Sequence, residues 1–85
     1  MSPVHRCLQE VSHLSAVTDS TVAERFEAAL DELEAAYEQP KERILACDAV
    51  LRQLRRIGLT EDAPFGRFIR ARIASRQHTL RKYAQ

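Results

Sequence analysis

Apolar residues recur at helical steps almost from the start of this 85-residue chain. Val4, Cys7, Val11 and Leu14 stand three, four and three residues apart with Leu8 beside them, which places them on one side of a helix. Ser2 suits the cap of that helix. Pro3 suits its first position, where a missing N–H leaves no bond unmade. The polar run Thr18-Asp19-Ser20 predicts a stop, because short polar side chains compete for backbone hydrogen bonds. A second stripe follows in Val22, Phe26, Ala29, Leu30, Leu33 and Tyr37. Thr21 and Glu24 have the spacing of a reciprocal cap at its start, and Pro40 ends it.

The third stripe is Ile44, Cys47, Val50, Leu51, Leu54 and Ile57, with Lys41, Arg52, Arg55 and Arg56 on the other side. Asp48 stands four residues before Arg52, a spacing that favours pairing. Gly58 is placed to be a left-handed stop, with Leu59 folding back as its apolar contact. The fourth helix opens at Pro64. Phe65, Ile69, Ile73, Leu80 and Tyr83 share one face, flanked by Phe68, and Arg67, Arg70, His78 and Arg81 share the opposite one. Arg72 and Arg76 fall inside the apolar sector.

The pattern predicts helices over about 3–17, 21–38, 40–57 and 64–84 in a single domain. No strand pattern or internal repeat interrupts them. The short connections make neighbours antiparallel, so the expected architecture is an all-α, small antiparallel bundle of three to four helices. The composition agrees, with Ala, Leu, Arg, Glu and Gln dominant and only two glycines and three prolines.

Charge changes the picture more. The chain carries a net +1, yet residues 1–40 hold 2 basic and 8 acidic groups and residues 41–85 hold 11 and 4. The acidic part is chiefly one stripe on the second helix: Glu27, Asp31, Glu34 and Glu38. Three arrangements use such a split. The acidic helix can face the basic ones within the chain, adding modest stability. The two halves can meet between copies, or between this chain and another protein, where charge sets specificity and encounter rate. A basic face can also take nucleic-acid phosphates.

Arg72 and Arg76 bear on that choice, since a charge on an apolar face is costly unless paired. Either their stems are buried with the heads in water, or a carboxylate of the second helix reaches them, within the chain or across a subunit boundary. The same stretch supplies the candidate partner-binding residues: Phe65, Phe68, Ile69 and Tyr83 as apolar anchors, with Arg72 and Arg76 setting register. The alternative nucleic-acid face is Arg67, Arg70, His78 and Arg81, whose planar guanidiniums suit phosphate. A helix-turn-helix over Leu51 to Ile73 fits poorly, because the link from Leu59 to Ala63 is long and Pro64 would fall inside its second helix.

Catalytic and metal chemistry find little footing. His5, Cys7, His13 and Cys47 match no zinc spacing, and both cysteines lie on apolar stripes. Nothing places a histidine beside either thiol as a base. Small helices leave little room for a small-molecule substrate, and no cofactor motif appears. The fourth helix is basic and amphipathic, but the core needs its apolar face, which argues against a membrane partner. His5, Arg6, Gln9, Glu10, Ser12 and His13 break up any N-terminal signal, and two distant cysteines do not read as a disulfide scaffold. The expectation is a cytosolic, non-enzymatic protein–protein interaction module, a small regulator, inhibitor or adaptor. So short a chain buries a small fraction of its surface, which favours a homodimer.

Overall fold

The computed structural model describes the backbone of residues 2–14 and 20–84, and the side chains among them except those of 12–14, 20–23, 64, 65 and 84. The described backbone forms α1 (Pro3–Leu14), α2 (Ser20–Ala35), α3 (Pro40–Arg56) and α4 (Pro64–Ala84), with no strand among the described residues. The fold is a small all-α bundle. The expected end of the first helix at Val17 and the stop at 18–20 depend on residues outside the description. So do the side chains of His13, Leu14, Val22 and Phe65. The second helix begins at Ser20, one residue before the expected cap, and the Thr21 side chain is likewise outside.

The helix ends follow local chemistry. Ser2 Oγ accepts from the His5 N–H at 3.2 Å, capping α1 ahead of Pro3. Pro40 opens α3 and holds Gln39 extended, at φ −92° and ψ 138°. The expected end of the second helix is corrected. A turn over residues 36–39 carries the chain into α3, so α2 stops at Ala35 rather than Glu38. The Tyr37 N–H tightens onto the Glu34 carbonyl at 3.1 Å, and Arg43 Nε donates across the turn to the Tyr37 carbonyl at 2.8 Å. At the far end of α3, Gly58 takes φ +86°. Its N–H donates to the Arg55 carbonyl at 3.1 Å, and the Leu59 N–H donates to the Leu54 carbonyl at 2.9 Å. This is the left-handed stop that the Gly58-Leu59 pair predicts, with Leu59 packed back on the core.

The helices pair first as hairpins, α1 with α2 and α3 with α4, and α3 also lies against both α1 and α2. The radius of gyration is 12.2 Å, close to the roughly 12 Å expected of a packed chain of this length. The core joins Cys7 and Val11 of α1, Phe26, Ala29, Leu30 and Leu33 of α2, Cys47, Val50 and Leu54 of α3, and Ile69 and Ile73 of α4. Tyr37 lies outside its helix yet still packs half-buried against this cluster. Among the described residues, two of the predicted stripes are exposed instead. Ile57, just past the end of α3, is 56% exposed, and Tyr83 is 74% exposed. Tyr83 sits about 9 Å along α4 beyond Gln77, whereas α3 reaches back only about 6 Å from Ile44 to Pro40. Because Gln77 packs on Ile44, the last turn of α4 overshoots the bundle.

Candidate functional site

The two arginines on the apolar sector of α4 turn toward α2. Arg76 Nη2 donates to Glu27 Oε2 at 2.6 Å and to the Glu27 carbonyl at 3.1 Å, while its Nη1 reaches Glu34 Oε2 at 2.5 Å and Asp31 Oδ1 at 2.8 Å. Arg72 Nη1 meets Glu27 Oε1 at 2.9 Å. The spacing of Glu27, Asp31 and Glu34 over two turns of α2 is what lets one guanidinium reach all three. Along the backbone α2 and α4 barely approach one another, and these long side chains span the gap. The Arg76 side chain is 18% exposed, Glu34 21% and Glu27 32%.

Burial alone would raise the Glu27 carboxyl. Hydrogen bonds and charge from Arg76 and Arg72 outweigh it and hold the group below its ordinary value. Burial would likewise discourage the Arg76 cation, but its three carboxylates push it further toward the charged form. Arg72 Cζ sits 4.6 Å from the centre of the Phe68 ring, a cation–π distance, and its Nε is buried without a hydrogen-bond partner. Arg6 of α1 extends the acid–base pairing, meeting Glu10 at 3.5 Å and Glu32 at 3.4 Å.

The other basic residues gather elsewhere. An open cleft of about 560 Å³ lies over α3, lined by Asp48, Leu51, Arg52, Gln53, Arg55, Arg56 and Arg70. Arg70 crosses from α4, its Nη1 donating to the Leu51 carbonyl at 3.3 Å. Asp48 does not serve the expected pair with Arg52. It accepts from Gln77 Nε2 at 2.6 Å, and the same nitrogen donates to the Ile44 carbonyl at 3.1 Å. Among the described residues Gln77 is the buried polar one, 4% exposed. Among the described residues no ion pair engages Arg52, Arg55 or Arg56.

These positions redistribute the candidate residues. Ile69 is fully buried in the core, so it is not available as an anchor, a correction that follows from its central place on the α4 stripe. Phe68 is 43% exposed beneath Arg72, and Tyr83 is exposed at the overhanging end of α4. Of the alternative basic face, Arg67, His78 and Arg81 are exposed, whereas Arg70 leans onto α3. Arg67 Nε reaches the Glu61 carbonyl at 3.4 Å. Leu45 belongs to none of the predicted stripes. It lies seven residues before Arg52, two turns along the same face of α3, and is 64% exposed. Its signal in the sequence is an apolar residue on a basic face, beside Ile44 of the buried stripe.

Cys7 and Cys47 are buried free thiols, pushed up to about 12 and about 11, chiefly by burial. Among the described residues no three His, Cys, Asp or Glu side chains gather as metal ligands would. No helix there is long and apolar enough to cross a membrane. No protein-family model, curated protein or solved structure matches this chain.

Proposed function

We propose that this chain is a non-enzymatic protein-interaction module, a small regulator, inhibitor or adaptor, whose recognition surface is the exposed side of the α3–α4 hairpin. The partner is another protein or a second copy of the chain. One observation carries the reading. Glu27, Asp31 and Glu34 of α2 are clasped inside the chain by Arg72 and Arg76, while Arg52, Arg55, Arg56 and Arg70 line an open cleft. Exposed Leu45 shares the outer face of α3 with Arg52. Guanidiniums beside an exposed aliphatic side chain resemble the composition of protein interfaces, where arginine is enriched.

Light scattering across a dilution series, together with affinity capture from the native host, tests it. The reading expects either a dimer that dissociates on dilution or a captured protein whose retention falls when Leu45 and Arg52 are both replaced by Ser. A monomer at every concentration that retains no protein sensitive to those replacements overturns it.

A second reading has its own support. Exposed Arg67, His78 and Arg81 extend the basic surface along α4, which suits a nucleic-acid backbone. Titrating duplex DNA at two salt concentrations tests that reading. Steep salt dependence, lost on neutralising Arg67 and Arg81, supports it, and no binding at low salt removes it.

A further inference from the structure

We infer that the cleft over α3 receives an acidic amphipathic helix of a partner protein, with carboxylates on successive turns and an apolar residue about two turns away. The inference rests on the interaction-module reading and names its ligand chemistry. The chain already contains one example of the pairing. Glu27, Asp31 and Glu34 rise along α2 at intervals of four and three residues and are met by arginines of a neighbouring helix. Arg52, Arg55 and Arg56 rise along α3 at intervals of three and one, with Arg70 entering from α4, and among the described residues no carboxylate forms an ion pair with these four.

The charge balance of the cleft points the same way. Four guanidiniums face one carboxylate, Asp48, which Gln77 already holds at 2.6 Å. Arg70 commits one nitrogen to the Leu51 carbonyl and keeps other donors of its five. Guanidinium forks bind carboxylates in pairs of parallel bonds, which favours side-chain acids on a rigid spacing. An α-helix offers that spacing, since its residues three and four apart lie about 5–6 Å from one another.

The apolar part selects between macromolecules. Leu45, 64% exposed, stands two turns before Arg52 on the same face, and Leu51 lines the floor of the cleft. Beyond Leu45 the next cation on this face is Lys41, eleven residues from Arg52, or roughly 16 Å along the helix. A phosphate backbone would cross that aliphatic stretch without gaining a contact. An amphipathic helix would cover Leu45 with its own apolar residue while its acids reach Arg52 and Arg56.

Fluorescence anisotropy with four labelled probes tests this. The first is a helical peptide bearing Glu at three successive i, i+3/i+4 positions, with Leu seven residues away. The second is its Gln-for-Glu counterpart, and the third and fourth are a single-stranded and a duplex oligonucleotide. The acidic peptide should bind the intact chain at least ten-fold more tightly than the Gln peptide or either oligonucleotide. R52E, and separately R52Q/R56Q in case charge reversal disturbs the fold, should weaken it ten-fold. L45S should weaken it several-fold, with unchanged far-UV circular dichroism and melting in each variant. No preference for the acidic peptide, or affinity indifferent to these variants, overturns the inference. If that happens while the chain self-associates or captures a Leu45- and Arg52-sensitive protein, the module reading stands without it. Binding of oligonucleotide alone, lost in the same variants, overturns the inference and favours the nucleic-acid reading.

Discussion

Replacing Arg76 by Met keeps most of the side-chain volume and removes the charge that joins α4 to α2. The loss can be bracketed. Breaking a fully buried ion pair costs about 3–5 kcal/mol, and an exposed pair contributes about 0–1 kcal/mol. Arg76 and its two more buried partners lie between, at 18%, 21% and 32% exposed, and Arg72 still holds one oxygen of Glu27. About 2 kcal/mol is therefore expected, which for a chain of this size lowers the melting temperature by about 10 °C. Exposed Arg81→Met is the control and should stay within about 3 °C. The same variant carries a pH signature. Glu27 titrates below its ordinary 4.5 in the folded chain, so its contribution is complete above that value and is lost as pH falls through the folded one. Wild type should lose stability on acidification below about pH 5 more steeply than Arg76→Met does. Thermal melts followed by circular dichroism between pH 7 and 3 measure both. A melting temperature for Arg76→Met no lower than that of Arg81→Met, or parallel pH profiles, would refute the argument that these side chains hold the two helices together.

Other outcomes follow from single residues. Cys7 and Cys47, buried and raised to about 12 and about 11, should react with a disulfide reagent at pH 8 only as fast as the chain opens, and labelling of the native protein within seconds would contradict that. Gln77→Leu retains volume but removes both hydrogen bonds to α3, and urea unfolding should show a loss of about 1–2 kcal/mol; an unchanged midpoint would show the amide to be dispensable. A methyl group at Gly66 would meet the Thr60 carbonyl oxygen and come within 2.9 Å of the Leu59 carbonyl carbon, so Gly66→Ala should cost about 1–3 kcal/mol. At Gly58 nothing lies within 4 Å and only the φ of +86° resists, so Gly58→Ala should cost about 1 kcal/mol; the reverse order in urea would contradict the placement of α4 against its preceding turn.

The helices were legible because their punctuation is local. Pro3, Pro40, Pro64 and Gly58 act on the residues beside them, and the structure places a helix start or stop at each. The end of α2 is not legible from the pattern because Tyr37 and Glu38 continue the spacing of their stripes, while the chain spends residues 36–39 on the turn into α3. Periodicity marked Arg72 and Arg76 as out of place. It could not choose their partners, since which helix lies opposite is a property of packing. For the same reason the spacing places Arg70 with His78 and Arg81 on its own helix, whereas its side chain donates to a carbonyl of α3. Ile57 and Tyr83 kept a core spacing past the ends of the elements that could bury them.

Gln77 has a consequence for how many shapes the chain can take. An α3–α4 contact made only of Leu, Ile and Val would accept more than one longitudinal docking, because aliphatic side chains substitute for one another at little cost. Sliding α4 by one turn, about 5.4 Å, would carry the Gln77 amide away from Ile44 and Asp48 and present Ile73 or Arg81 in its place. The displaced amide would then lie buried without its acceptors, a penalty that the correct docking alone avoids. The residue that adds least to the apolar interior thus favours one register of the hairpin, together with the Arg70 bond to the Leu51 carbonyl. The cleft over α3 depends on that register, since it is this alignment of the two helices that brings Arg70 beside Arg52, Arg55 and Arg56.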